Sequence, residues 1–420
     1  MKYSSVKGMH DVLPPDVALW QWVEDTARRI FGSFGFAEIR TPIVEKTPLF
    51  VRSVGQHTAL VEKEMYSFVD LGGEALTMRP EGTAPVVRAY LENDVPQKDP
   101  IAKFYYIGPM FRRERPQKGR YRQFHQLGVE LLGASSPYAD AEVLAMLMQF
   151  LCALGIADLR LEINSLGDEQ CRSRYQDIMR EFLQKIESQL CEDCVRRLDV
   201  NPMRVLDCKN PTCQQSLTDA PLIQDAWNDA SREHFHQVCE GLERLGVEYW
   251  VNPRIVRGID YYVMTAFEVV THHLGAQSAL CGGGRYNGLV RDLGGPDVDG
   301  VGFACGVERL VMELQERGIV PPAPERPRLF FALLGDAARD AVLPLLQQLR
   351  AQGCTVEWDY DNRSLKAQMK FADRHGFQQV VIVGEDEVAK QVVLMRDMET
   401  KEQTEISLED LVKKFASGTK

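Results

Sequence analysis

The chain has no apolar run approaching the roughly 18 residues that a membrane span needs. Its opening Met1-Lys-Tyr-Ser-Ser-Val-Lys-Gly also lacks the apolar stretch of a signal peptide, so a soluble cytoplasmic protein is expected. There is no G-x-x-x-x-G-K-[ST] loop, and Gly300-Val-Gly302-Phe-Ala-Cys-Gly306 misses the G-x-G-x-x-G spacing by one residue. Any nucleotide must then be held by side chains. Positive charge is in deficit, with 49 Lys and Arg against 60 Asp and Glu for a net −11. Taken over the whole chain, that balance counts against a nucleic-acid partner. Neither an internal repeat nor a low-complexity tract is present, which argues against a solenoid or a disordered scaffold. The ten cysteines do not suggest a disulfide framework in a reducing compartment, which leaves metal binding, catalysis or burial.

What the sequence does contain is 420 residues, 45% hydrophobic and 26% charged, enough for a buried core and for two or three domains. Val17, Trp20, Val23, Ala27, Ile30 and Phe31 recur every three or four residues and predict a helix that Gly32 and Gly35 stop. Residues 38–45 read as a strand at an edge or bulge, because Pro42 has no N–H for a central ladder. Between 74 and 165, strands at 75–79, 103–108, 123–132 and 159–164 alternate with helices at 82–91 and 138–154. Helical, charged sequence fills about 168–245, and β-rich character returns over 247–270 and 300–306. Four prolines within Gly318-Ile-Val-Pro-Pro-Ala-Pro-Glu-Arg-Pro mark a linker. Beyond it lies a separate α/β pattern of strands at 328–334, 355–358, 379–383 and 391–396 with helices at 337–352, 364–375 and 408–415. The expected fold is α+β, with a helical insertion in residues 1–325 and a small α/β domain in 326–420.

The segment from Phe104 to His125 departs most from the average composition. It holds Arg112, Arg113, Arg115, Lys118, Arg120 and Arg122 against the single carboxylate Glu114, a local +5. A strand, a basic loop and a returning strand present these cations. Guanidinium groups bind phosphate oxygens in pairs, and interleaved aromatic rings offer stacking faces for bases. A merely solvated hairpin is the competing reading.

At this point a family resemblance becomes specific. Phe111-Arg112-Arg113-Glu114 resembles the second signature motif of class II aminoacyl-tRNA synthetases, and Gly302-Phe-Ala-Cys-Gly-Val-Glu-Arg309-Leu resembles the third. Arg257-Gly-Ile-Asp-Tyr-Tyr262 and Cys281-Gly-Gly-Gly-Arg-Tyr286 resemble the two histidine-specific motifs of the histidyl-tRNA synthetase family. With Met78-Arg-Pro-Glu81-Gly-Thr83 and Lys7-Gly-Met-His-Asp, the similarity covers 1–325, and 326–420 resembles the family's anticodon-binding domain. The implied architecture is a catalytic domain with a mainly antiparallel sheet flanked by helices, a helical insertion and a C-terminal α/β domain. The implied reaction activates L-histidine with ATP and transfers it to the 3′ end of tRNA(His), releasing AMP and diphosphate, with Mg2+ accompanying the nucleotide.

The resemblance also implies roles. Arg112 takes the place of the arginine on the α-phosphate, Glu114 contacts the adenine edge, and Phe124 and Arg309 sandwich the adenine, which suits stacking and cation–π physics. Arg257 is implied as the catalytic arginine beside the reacting phosphate, since the substrate carboxylate is the nucleophile and charge builds on phosphate oxygens. Glu81, Gly82, Thr83 and Gln126 are implied at the histidine α-amino group. Glu130 and Tyr262 are implied at the two imidazole nitrogens, with Tyr261 lining the pocket; a donor and an acceptor are both then paired. Arg115, Gln117, Lys118, Arg120 and Arg122 are placed to meet the tRNA acceptor end. The family further implies a homodimer that buries the first helix and the region around Pro42, with no membrane partner.

Two questions stay open in the sequence. Cys191-Glu-Asp-Cys194 followed by Cys208-Lys-Asn-Pro-Thr-Cys213 has spacing compatible with a tetrahedral thiolate zinc site, but reduced free thiols are the favoured reading. The resemblance lends the metal no support. A catalytically inactive histidine-sensing subunit of ATP phosphoribosyltransferase is the alternative function, but such relatives lack the C-terminal domain. A synthetase-like stress sensor needs an attached kinase, for which no signature is present. Charge finally reads locally: residues 326–420 carry −1 and the remainder −10, and carboxylates beyond a Debye length of about 8 Å are largely screened from the +5 hairpin.

Overall fold

A computed structural model describes residues 3–56, 58–208, 210–256, 259–271, 279–322 and 328–416. The chain divides into two compact units, Met1–Pro321 and Pro322–Lys420. The first contains strands β1 (Ala37–Glu38), β2 (Val44–Lys46), β3 (Tyr66–Val69), β4 (Ala75–Met78), β5 (Ala102–Phe111), β6 (Gln123–Leu132), β7 (Arg160–Ser165), β8 (Trp250–Val251), β9 (Val263–Val270), β10 (Ala279–Arg285) and β11 (Gly300–Gly306). Eight of them form one sheet in the order β1-β5-β6-β11-β10-β9-β7-β8, while β2, β4 and β3 form a small second sheet. The large sheet is antiparallel except at its two edges, where β1 runs parallel to β5 and β8 parallel to β7.

Strand alternation divides the labour of this sheet. On one face Tyr105 packs on Phe31 of helix Val17–Ser33, with ring centroids 5.8 Å apart, and Phe31 also meets Phe150 at 5.3 Å and Phe303 at 5.8 Å. Phe150 lies on helix Pro137–Ala153, which begins with Pro at its first position and the Ser136 hydroxyl accepting from the Tyr138 N–H at 3.3 Å. Tyr106, one residue on, points to the opposite face and into a cavity. The helical insertion follows β7 as helices Glu169–Lys185, Glu192–Val200, Pro211–Ser216 and Asp229–Arg244. It docks through the Trp227 indole N–H donating to the Ser165 carbonyl at 3.2 Å.

The second unit contains β12 (Leu329–Leu333), β13 (Val356–Trp358), β14 (Gln379–Val383), β15 (Val392–Asp397) and β16 (Gln403–Ser407), ordered β13-β12-β14-β15-β16. Every residue of β12 is buried. Leu329, Phe331 and Leu333 face helices Asp336–Ala351 and Leu408–Ala416, and Phe330 and Ala332 face the side of helix Leu365–Arg374. Such two-sided burial is what a parallel central strand requires.

Several expectations need correction. The strand read at 38–45 is two strands in two sheets, β1 and β2, with Pro42 between them, because a residue without an N–H sits where the chain leaves one ladder for the other. Beyond the predicted elements the structure adds β3, β10, β16 and helices Thr47–Val54, Val95–Lys98, Leu289–Asp292, Val307–Glu316 and Glu385–Lys390. No disulfide framework was expected, and among the described residues eight cysteines are free while a single pair, Cys281 and Cys305, directly opposite in the β10–β11 register, is bonded as a disulfide. Their Cα atoms are 4.2 Å apart, the close spacing of a cross-strand pair without ladder hydrogen bonds between them. The proline-rich linker expected near 318–327 lies partly outside the described residues. Among the described residues, no helix is long and apolar enough to cross a membrane.

Candidate active site

A cavity of about 490 Å³ opens on the face of the large sheet opposite helix Val17–Ser33, floored by β5, β6, β10 and β11. Most of the sites anticipated from the sequence line it. One end gathers Glu81, Thr83, Tyr106, Gln126, Glu130, Tyr261, Tyr262 and Tyr286; the other gathers Glu64, Arg112, Glu114, Arg120, Phe124, Glu268 and Arg309. Arg257 lies outside the described residues.

The first end is built from buried acids and phenols. Glu81 is 3% exposed and directs its carboxylate at the start of helix Thr83–Glu92, accepting from the backbone N–H of Thr83 at 2.6 Å and of Ala84 at 2.9 Å. Those groups are orphan donors of the first helical turn. Burial nevertheless prevails over them and raises the carboxyl above its ordinary value. Gly82 between them is required sterically, since a Cβ there would sit 2.3 Å from the Tyr106 ring. Glu130, 1% exposed, accepts from the Thr83 hydroxyl at 2.7 Å and from the Tyr286 hydroxyl. Burial pushes its carboxyl up to about 8, against the opposing pull of those two donors. Burial likewise drives the phenols of Tyr106, Tyr261 and Tyr286 well above the usual range, so all three are neutral donors. Tyr261 packs on Tyr262 at 4.6 Å and on Tyr286 at 5.6 Å.

Two buried atoms here have no hydrogen-bond partner among the described residues, the Tyr106 hydroxyl and the Gln126 side-chain oxygen. Such atoms are costly in an empty site and are satisfied by a polar ligand. The turn carrying Tyr261 and Tyr262 is held from behind by the insertion. Arg172 donates to the Asp260 carbonyl at 2.9 Å and the Tyr262 carbonyl at 2.8 Å. Asn201 and Arg204 each donate to Asp260 Oδ1 at 3.1 Å.

The second end holds alternating charges. The Arg112 Nε donates to the Pro80 carbonyl at 2.8 Å, which leaves its guanidinium 5.1 Å from the Phe124 ring and 3.8 Å from Glu114. Glu114 also accepts from Arg120 at 3.2 Å. Arg309 reaches in from helix Val307–Glu316, donating to the Ala279 carbonyl at 2.6 Å and the Gly119 carbonyl at 3.3 Å. Burial lowers its basicity, and the charges of Arg120 and Arg112 act in the same direction. Three guanidinium groups that repel one another across a partly buried space are arranged for a polyanion. Glu64 is raised by burial first and by the Glu114 charge second.

The basic segment is a hairpin. Gln117 and Arg120 exchange two backbone hydrogen bonds, of 3.1 and 2.9 Å, around a turn in which Gly119 takes φ +73°. Arg115, Gln117 and Lys118 are exposed at its tip, with Lys118 2.5 Å from Glu316. Arg120 instead turns toward Glu114 and the cavity, and the half-buried Arg122 ties its backbone N–H to the Gly8 carbonyl at 2.7 Å. Sequence reasoning gave no role to Tyr106, Tyr286 or Glu64. Strand alternation beside Tyr105 marks Tyr106 as facing the other way; nothing local marks Glu64.

Away from the cavity, Cys191, Cys194, Cys208 and Cys213 converge, their sulfur atoms all within 4.8 Å of one another.

A family model described as histidyl-tRNA synthetase matches residues 8–310, and one described as anticodon binding domain matches residues 326–417. A histidine–tRNA ligase of Syntrophotalea carbinolica is 47% identical over 420 residues, covering 100% of both chains. Its counterpart in Geobacter metallireducens is 49% identical and covers 97% of each. The crystal structure of apo S. aureus histidyl-tRNA synthetase superposes with a TM-score of 0.83 at 38% identity, covering 99% of this chain and 100% of that one.

Proposed function

The chain belongs to the histidyl-tRNA synthetase family, and from that premise we propose how its cavity joins histidine to ATP. It is an ATP-dependent ligase that activates L-histidine and attaches it to tRNA. The alternative of a regulatory subunit is not favoured, because the match to anticodon binding domains spans residues 326–417.

Histidine lies in the acid and phenol end. Glu81, Gly82, Thr83 and Gln126 surround its ammonium group, Glu130 and Tyr262 take the two imidazole nitrogens, and Tyr261 closes the wall. The observation that carries this assignment is the pair of buried, unpartnered atoms, Tyr106 Oη and Gln126 Oε1, in the same cavity as Glu130. An amino acid lacking the imidazole would leave further polar atoms unpaired, which gives discrimination of roughly 10⁴-fold without an editing site.

ATP lies in the arginine end. The adenine sits between Phe124 and Arg309 with Glu114 at its edge, and Arg112 meets the α-phosphate. A carboxylate oxygen of histidine attacks the α-phosphorus; the new O–P bond forms as the bond to the pyrophosphate oxygen breaks. Arg112 and Arg257 stabilise charge on the phosphate oxygens; Arg257 carries this role through its Gly-Ile-Asp-Tyr-Tyr context. Glu64 and Glu268 would offer oxygen ligands to a magnesium ion carried in with the nucleotide, which would neutralise phosphate charge. In the second step the terminal ribose hydroxyl of tRNA(His) attacks the adenylate carbonyl and AMP leaves.

Arg115, Gln117, Lys118, Arg120 and Arg122 present the hairpin to the acceptor end, while residues 326–420 bind the anticodon side and residues 1–325 carry the chemistry. The chain works as a cytoplasmic homodimer. Ile43 and Val44, beside Pro42, are 43% and 39% exposed, apolar surface that a second subunit would cover. A particle of 47.6 kDa at micromolar concentration would refute the dimer. The activation step is tested by histidine-dependent exchange of pyrophosphate into ATP: exchange is expected with wild type and lost in Arg112→Ala, and no exchange with wild type would overturn the reading.

A further inference from the structure

Cys191, Cys194, Cys208 and Cys213 come from two separate stretches of the insertion, the first pair at the start of helix Glu192–Val200 and the second with Cys208 before helix Pro211–Ser216 and Cys213 within it. Their four sulfurs lie within 4.8 Å of one another, and Cys191 and Cys208 are 3.8 Å apart. A tetrahedron of thiolates about 2.3 Å from a zinc ion has sulfur–sulfur edges of about 3.8 Å. All four are free thiols in the structure, three of them buried. Two backbone N–H groups already point at the sulfurs: Cys191 donates to Cys213 at 3.1 Å and Asn210 to Cys208 at 3.4 Å. Outer donors of this kind orient ligand atoms and offset thiolate charge.

The chain between the two cysteine pairs reaches the active site. After helix Glu192–Val200 come Asn201 and the short turn Pro202–Asp207. From there Asn201 and Arg204 grip Asp260, immediately before Tyr261 and Tyr262, and Arg204 lines the catalytic cavity. Helices of nine and six residues are too short to be stable by themselves, so a fixed point at the cysteines decides where Asn201 and Arg204 sit.

We infer that these four cysteines bind a single zinc-class ion as a structural site, and that this ion, through Asn201, Arg204 and Asp260, positions the Tyr261-Tyr262 wall of the histidine pocket. The metal part stands on sulfur geometry alone; the positioning part rests on the assignment of that wall to histidine.

The full chain, purified without chelator, is assayed for metal and then reconstituted with Co2+ after zinc removal. About one zinc per chain is expected, together with the visible and thiolate-to-metal bands of tetrahedral cobalt. Metal near zero with no such bands would overturn the site whatever the enzyme does. Cys208→Ser should lose the metal and raise the KM for histidine by about tenfold, the cost of one lost hydrogen bond to a charged group, with the KM for ATP little changed. Should Cys208→Ser not fold, Arg204→Ala tests the same link with the metal retained. An unchanged histidine KM in Arg204→Ala would overturn the positioning role and leave the metal result standing.

Discussion

Removing the Tyr286 hydroxyl isolates the Glu130 carboxyl, the group proposed to meet the histidine imidazole. The phenol donates to Glu130 Oε2, the Thr83 hydroxyl donates to Oε1 at 2.7 Å, and burial holds the carboxyl at about 8. Tyr286→Phe keeps the ring, and with it the packing on Tyr261 at 5.6 Å, but takes away one of the two donors that favour the ionised form. A hydrogen bond to a charged group is worth about 1.5–3 kcal/mol, and one pKa unit corresponds to about 1.4 kcal/mol. The Glu130 carboxyl should therefore rise further, and the limb of the kcat/KM profile that requires it ionised should move up by about one to two pH units. At neutral pH kcat/KM for histidine should fall by about 10- to 100-fold, while the KM for ATP holds. The assay is histidine-dependent pyrophosphate exchange from pH 6 to 9.5, with wild type and variant run side by side so that titration of histidine itself cancels. Superimposable profiles would refute the reasoning, because the carboxylate would then be indifferent to its donor.

The same carboxyl gives a stability prediction. The native state keeps a proton on Glu130 that the unfolded chain has lost above its ordinary 4.5, so stability of the ligand-free protein should decline as pH rises from about 4.5 to 8; denaturant midpoints should show a shallower decline in Glu130→Gln. Arg285 and Asp140 are both fully buried and hydrogen-bonded at 3.1 Å, so Arg285→Met alone should cost about 3–5 kcal/mol in urea unfolding. The pair Arg285→Met with Asp140→Leu should recover much of that loss, since the fully buried Asp140 carboxylate is no longer left alone and, of the charged groups, only the partly exposed Asp299 loses a partner. Arg115→Ala with Lys118→Ala should lower aminoacylation and flatten its salt dependence while sparing pyrophosphate exchange, because both side chains are exposed at the hairpin tip.

Elements with a strong period were legible from the sequence, and those defined by their neighbours were not. Helix Val17–Ser33 and strand β6 follow from residue spacing. Strand β10 contains three consecutive glycines, Gly282, Gly283 and Gly284, and is a strand only because β9 and β11 flank it; a Cβ on Gly283 would lie 2.1 Å from the Gly302 carbonyl and one on Gly284 2.5 Å from the Thr265 carbonyl. Strand β16 is a polar edge with three exposed residues, so it carries no apolar alternation to read. At the site, the motif resemblance placed residues of both ends in one cavity, but the bond from Tyr286 to Glu130 depends on β10 and β6 being held on either side of β11, a relation that no local spacing encodes. Glu114 stood in a legible motif beside Arg112, yet its contact with Arg120 arises from the closure of the hairpin loop. The cysteine spacing was legible as compatible with metal; the convergence of two pairs separated by a helix and a turn was a property of the fold.

The decisive measurement is aminoacylation of total tRNA by the purified chain, offered each of the twenty amino acids in turn with ATP and magnesium. Histidine alone should be transferred, onto a single acceptor species, and Arg112→Ala should abolish the transfer. Charging of another amino acid at a comparable rate, or no charging with histidine, would contradict the assignment of this cavity to histidine and ATP.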